Sequence, residues 1–204
     1  MSSIKLESNP SGTGVFTLAS PNSNTNRTLT LPNNTGTILT SATTTGFPAG
    51  SVIQVAQTVK TDTFFTSSTS YLDITGATVS ITPTSTSSKI LVSAQLVMAS
   101  TTTTAAAYVA VAKGGTLIGI GGAAGSRVQA GGVTCLASSN TYAASGGIFL
   151  HFLDSPNTTS STTYSIQVKN QSSYSLVVGR QGDDTDSDAR GRFPTIITVM
   201  EIAG

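Results

Sequence analysis

Residues 89–98 read KILVSAQLVM, and taking every second side chain splits them into two sets. Ile90, Val92, Ala94, Leu96 and Met98 fall on one side; Lys89, Leu91, Ser93, Gln95 and Val97 fall on the other. Successive side chains of an extended strand point to opposite faces, so a wholly apolar set opposite a mixed one describes a half-buried strand. The same alternation recurs in Tyr164, Ile166 and Val168 against Ser165, Gln167 and Lys169. It recurs again in Ile196, Thr198, Met200 and Ile202 against Thr195, Ile197, Val199 and Glu201.

Working outward, further strands are expected at Val52–Val59, Thr78–Ile81, Ala107–Val111, Leu117–Ile120, Ile148–Leu153 and Leu176–Val178, giving about nine or ten. Clusters of Gly, Asn, Ser and Asp separate them at the intervals usual for sandwiches and barrels. No segment sustains a 3.6-residue apolar period with caps at its ends. Composition agrees: Ser and Thr supply 64 of the 204 residues, and charged residues are 9% against a usual value of about 25%. Thr fits a pleated surface, and Ser and Thr compete for backbone hydrogen bonds inside helices. The fold class expected is all-β, with strand count and spacing suiting an antiparallel jelly roll of two packed sheets.

The first 46 residues differ. They hold few large apolar side chains and many Asn, Thr and Ser, so such a segment is either disordered alone or ordered by neighbouring chains. Short apolar pieces, Val15–Leu18, Thr28–Leu31 and Thr37–Leu39, alternate with turn clusters, and none is long enough to bury a face unaided. Small polar residues leading into Phe47-Pro48 mark a boundary near residues 41–50. The expected organisation is an extended arm over 1–46 followed by a β-sandwich over 47–204.

The stretch GTGVFTLASPNSNTNRTLTLPNNTGTIL, residues 12–39, resembles N-terminal segments of tailed-bacteriophage fibre and other virion structural proteins. Ile81-Thr82-Pro83, Ser88–Val92 and the closing Thr198–Ile202 look like phage fibre-tip sequences. The resemblance implies a place on a virus particle, an arm that attaches to the particle or builds a shaft, and a trimeric jelly-roll head like the tumour-necrosis-factor fold. Strand order is not derivable from alternation and rests on this resemblance. One observation points to self-association independently: in Thr195–Ile202 both faces carry apolar side chains, and one face covering the core leaves the other to meet another subunit or, in the alternative, loops of a large monomeric sandwich.

The chemistry to be weighed is sparse. A formal net charge of +1 with scattered Lys and Arg gives no basic stripe for nucleic acid. MSSIKLESNP lacks the apolar centre of a secretory signal, and no apolar run approaches the ~18 residues of a membrane span, so a soluble chain made in a cytosol is expected. A single cysteine, Cys135, excludes an intrachain disulfide and suits a small buried hydrophobe. Gly119-Ile120-Gly121-Gly122-Ala123-Ala124 fits G-x-G-x-x-[G/A], but the glycine-broken sequence after it is no crossover helix and no acidic residue follows about twenty positions on. A flexible loop or a tight bend is the better reading.

Asp184, Asp186 and Asp188 alternate like the first half of a calcium loop, yet Ala189 and Thr195 stand where glycine and glutamate would be needed. A looser oxygen-ligand site competes with a solvated loop balanced by Arg180, Arg190 and Arg192, and the second is favoured. His151 is the sole histidine and lies in an apolar strand with no nucleophile-elbow spacing anywhere, which favours a strand residue over a catalytic one. The Asn-x-Ser/Thr matches at Asn26, Asn33, Asn157 and Asn170 carry no weight without a secretory signal. Tyr142 and Tyr174 sit in surroundings suited to glycan contact, without further support.

The expected function is therefore a virion structural component and not an enzyme: a homotrimeric tail or head fibre or spike with an exposed head that contacts the host surface. No catalytic, cofactor or metal residue is assigned, and the expected partners are further copies of the chain, other virion proteins through the arm, and host glycan or protein. A capsid decoration protein is the nearest alternative; a host-polysaccharide depolymerase or a cellular lectin-like adhesion domain is the alternative of another class. Loops 121–132, 138–147 and 181–193 are the candidates for host contact at a distal end, being Gly/Ser/Asp-rich and bounded by strands.

Overall fold

A computed structural model describes residues 10–15, 17, 22–26, 28, 35, 47–100, 105–136 and 145–204. The chain divides into two units, Met1–Thr37 and Ile38–Gly204. In the first, a turn at Pro10-Ser11 and a bend near Asn22–Thr25, where Thr25 N donates to Ser23 Oγ at 3.1 Å, are described. The expected arm boundary at 46 and the short apolar pieces of the arm fall outside the described residues or touch them only singly.

The second unit carries eleven strands: β1 (Val52–Lys60), β2 (Phe64–Thr66), β3 (Leu72–Ile81), β4 (Lys89–Ser100), β5 (Ala105–Lys113), β6 (Thr116–Ile118), β7 (Gly132–Leu136), β8 (Ser145–Asp154), β9 (Thr162–Asn170), β10 (Leu176–Val178) and β11 (Thr195–Ile202). All pairings are antiparallel, and no helix forms among the described residues. The expected all-β class holds. The first sheet runs β1-β11-β4-β8 and the second β3-β9-β5-β7.

Three positions along these sheets are filled by two collinear strands. β10 and β11 both pair along one edge of β4, because β8 takes Ile90–Ala99 on the other edge. Likewise β1 and β2 follow β11 and β10, and β7 and β6 share the edge of β5 opposite β9. Residues 179–194 and 119–131 are thus excursions from the middle of a strand position, one in each sheet.

The pairs β1·β11, β3·β9, β4·β8 and β5·β7 are nested about the 119–131 excursion. The chain makes one long antiparallel ribbon, and its successive strands cross between the sheets. Both sheets turn their alternating apolar sets inward: Ile90, Val92, Ala94, Leu96 and Met98 from β4 meet Val109, Val111, Ile166 and Val168 from the second sheet in one core. Each such Val, Leu or Ile contributes at most about 1.5–3 kcal/mol by leaving water.

Side chains of β1 reach across to carbonyls at the free edge of β3 in the second sheet. Gln54 Nε2 donates to Thr82 O at 2.7 Å and Thr58 Oγ1 to Thr78 O at 2.6 Å, which blunts a strand edge that would otherwise invite further pairing. Chain direction then fixes two ends. Residues 48–51, 82–88, 114–115, 155–161 and 203–204 lie where the chain enters the sandwich; Gly50 N donates to Ala203 O at 2.8 Å there. The strands joined by 67–71, 101–104, 137–144 and 171–175 terminate at the opposite end.

Candidate interaction surface

The registers of β1, β11, β4 and β8 set their outward side chains in rows. One row is Val55, Met200, Leu91 and Leu153; the next is Gln57, Thr198, Ser93 and His151; the third is Val59, Ile196, Gln95 and Phe149. Val52 and Ile202 extend it toward the entry end, and Lys89, bonded to Ser155 Oγ at 2.9 Å, closes that corner. The three full rows carry no formal charge. Val55 is 56% exposed, Phe149 64% and Leu153 55%, although a strand side chain of this kind packed in a core is near zero.

The outer face of the second sheet has another chemistry. Thr78, Ser165 and Ala112 align, as do Asp73, Gln167 and Ala110, followed by Lys169 and Tyr108. Asp73 Oδ1 accepts from Ser165 Oγ at 2.6 Å and from Gln167 Nε2 at 3.0 Å. The 119–131 excursion reaches this face: Tyr71 Oη donates to Gln129 O at 2.8 Å, and the Lys169 ammonium sits 5.7 Å from the Tyr71 ring centre. Burial and then the nearby Tyr108 push the Tyr71 hydroxyl up to about 12, so it remains a donor. One face is served by its own polar partners, and the other is bare and apolar.

His151 stands in the middle of the apolar face. Its Nδ1 is 2.7 Å from Ser93 Oγ, its cross-strand partner, and its ring stacks on Phe149 at 5.7 Å between centroids. The sequence favours a strand histidine, either satisfied by backbone groups or facing outward, and the structure gives the second. The Ser93 pairing was not legible, because β4 and β8 are brought together across 58 residues of sequence.

In the 179–194 excursion the aspartates lie among the arginines expected to balance them. Arg190 places Nε at 3.0 Å and Nη2 at 2.6 Å from Asp183 Oδ2, and Arg192 Nη2 lies 2.5 Å from Asp184 Oδ1. Arg180 Nε is 3.6 Å from Asp184 Oδ2. Asp183 Oδ1 accepts from Thr185 N and Oγ1, and these bonds, with Arg190 foremost, hold the carboxyl down at about 2. The loop encloses an open cleft of about 250 Å³ lined by Asp183–Ser187 and Arg190–Arg192. Among the described residues no group of three or more His, Cys, Asp or Glu is placed to hold a metal ion. Asp184, Asp186 and Asp188 share this loop without converging on one point.

Gly119 opens the other excursion at φ +62°, and a Cβ there would meet the Phe152 ring at 2.6 Å. The glycine motif is a bend packed on an aromatic ring, as the sequence suggested. Of the three candidate loops, 121–132 and 181–193 leave from mid-sheet, and only 138–147 lies at the end opposite chain entry, where its last three residues belong to β8 and the rest to the connecting segment 137–144. The residues of that segment, Tyr142 included, lie outside the described residues, as does the Cys135 side chain in β7. Tyr174 is exposed in the β9–β10 turn. Asn170 is buried and donates to Tyr174 O at 2.6 Å, so that sequon is closed to modification in the folded unit.

No protein-family model and no curated protein matches the chain.

Proposed function

We propose that the chain is a structural, non-enzymatic component of a phage virion: a homotrimeric tail or head fibre or spike. Residues 1–46 attach it to the particle, and the sandwich from residue 47 is an exposed jelly-roll head. The observation that carries this reading is the nesting of β1·β11, β3·β9, β4·β8 and β5·β7, a single antiparallel ribbon wound into β1-β11-β4-β8 facing β3-β9-β5-β7. Eight strand positions wound in this way are the plan of a jelly roll. The phage-fibre resemblance of residues 12–39 supports the virion placement, and that arm precedes the head in the chain.

Host-surface contact, glycan or protein, falls in this reading to the turns opposite chain entry, 67–71, 101–104, 137–144 and 171–175. Multivalent display then raises avidity by about 10² to 10⁴ where several copies engage together. The non-enzymatic assignment is supported by the ion pairing of Asp183 and Asp184 with Arg190 and Arg192, which engages two of the carboxylates that line the loop's cleft.

Gold-labelled antibody against the chain, applied to intact particles, tests the placement. Label on tails marks a fibre or spike; label on capsids marks a head fibre or decoration protein. Particles that carry no label contradict the reading.

A further inference from the structure

We propose that the outer face of the β1-β11-β4-β8 sheet is covered by a second copy of this chain, so that copies meet through Val55, Val59, Leu91, Phe149 and Leu153. This rests on the homotrimeric reading above and names the surface that reading requires.

Charge and area select the occupant. The three full rows lack any formal charge, so the face neither repels its own copy nor offers a handle to a charged partner. The whole chain has a formal net charge of only +1, which leaves little long-range repulsion between copies. Four strands at ~4.8 Å spacing and about seven residues at ~3.3 Å span roughly 19 by 23 Å, on the order of 450 Å² before side-chain relief is counted. Around a three-fold axis three copies each turn one such face inward, roughly 1,350 Å² in projection for the assembly before side-chain relief, and each neighbouring pair shares part of it.

The pattern across the face also suits a contact between proteins. A polar row of Gln57, Thr198, Ser93 and His151, with no Asp, Glu, Lys or Arg, lies between two rows that are apolar except for Gln95. Gln57 Nε2 already donates to Thr198 Oγ1 at 2.8 Å and Ser93 Oγ is joined to His151 Nδ1, so dehydrating this row leaves those four atoms paired. The outer face of the other sheet carries Asp73, Lys169 and mutually bonded hydroxyl and amide groups in place of an apolar set, which distinguishes it from the sheet that meets a copy.

Sedimentation velocity of the full chain and of Phe149→Lys and Leu153→Lys, with Thr163→Lys on the opposite sheet as control, tests the assignment. The expected result is a trimer for the unsubstituted chain and the control, and at least tenfold weaker association for each face variant. Carbene footprinting of the unsubstituted assembly adds a readout that needs no substitution. Phe149 and Leu153 should be labelled several-fold less than Val133, which is comparably exposed in the single chain but lies on the second sheet. Face variants that remain trimeric, or Phe149 labelled as heavily as Val133 in a trimer, overturn the surface while the trimer stands. An unsubstituted chain that sediments as a monomer overturns the homotrimeric reading as well.

Discussion

Tyr164 Oη donates a 2.8 Å hydrogen bond to Asp154 Oδ2, joining β9 of one sheet to the last residue of β8 in the other. Lys113 Nζ reaches both Asp154 oxygens at 2.9 Å, so a single carboxylate gathers three strands at the entry end of the sandwich. Burial, followed by the Asp154 bond, pushes the Tyr164 hydroxyl well above its ordinary range and keeps it a donor. Tyr164→Phe should cost about 1.5–3 kcal/mol, the usual worth of a hydrogen bond to a charged group. Asp154→Ala should cost more, because it leaves the Tyr164 hydroxyl and Lys113 without their acceptor. Urea unfolding of both single variants and the double variant checks this, and the losses should be less than additive.

Glu201 faces inward at 0% exposure, with no cation beside it among the described residues. Its acceptors are filled by Gln54 Nε2 at 2.5 Å and by Thr84 N and Oγ1 at 2.7 Å. Burial raises the carboxyl, but these hydrogen bonds outweigh it and hold Glu201 below the ordinary glutamate value. A group depressed on folding contributes stability above its unfolded pKa, about 4.3, and loses it as pH falls through the folded value. Unfolding free energy should therefore decline on acidification below about pH 4.3, and Glu201→Gln should flatten that decline while lowering stability at neutral pH by about 1–3 kcal/mol. Denaturant titrations from pH 3 to 7 read both effects.

Gly119→Ala should be among the most damaging small substitutions. The left-handed backbone at φ +62° costs a non-glycine residue about 1 kcal/mol, and the new Cβ must displace the Phe152 ring, which packs against the core, at about 1–3 kcal/mol more. Thermal melting measures the loss, and a melting point unchanged within error would contradict the packing.

Asp183→Asn removes the acceptor that both Arg190 donors share and should loosen the 179–194 excursion without unfolding the sheets. Hydrogen exchange should quicken at Thr185 and Ala189–Gly191 and stay unchanged in β4 and β9. Because the pair lies near the surface, added salt should reproduce part of the effect in the unsubstituted chain.

The strand at 89–98 was legible because its alternation is strict: the five residues assigned to the apolar face are all fully buried. Residues 195–202 were legible as a strand but not as to face, since both sets are largely apolar. The structure turns Ile197, Val199 and Glu201 inward, and the charge is tolerated only because Gln54 and Thr84 arrive from 147 and 117 residues away. β2 and β7 escaped notice for a related reason. Phe64–Thr66 is a strand because β10 lies beside it, and Gly132–Leu136 begins on a glycine and pairs with an alanine-rich β5, so neither carries a period of its own. The apolar outer face was half legible: Thr195–Ile202 showed apolar residues on both sides, but only the registers collect Val55, Met200, Leu91 and Leu153 into one row.

The central claim is that this head is finished by copies of itself, and the molar mass of the full chain in solution, by multi-angle light scattering at neutral pH, tests it most directly. The account predicts three times the 20.6 kDa chain mass, held on dilution through the micromolar range. A particle of 20.6 kDa at every concentration would contradict it.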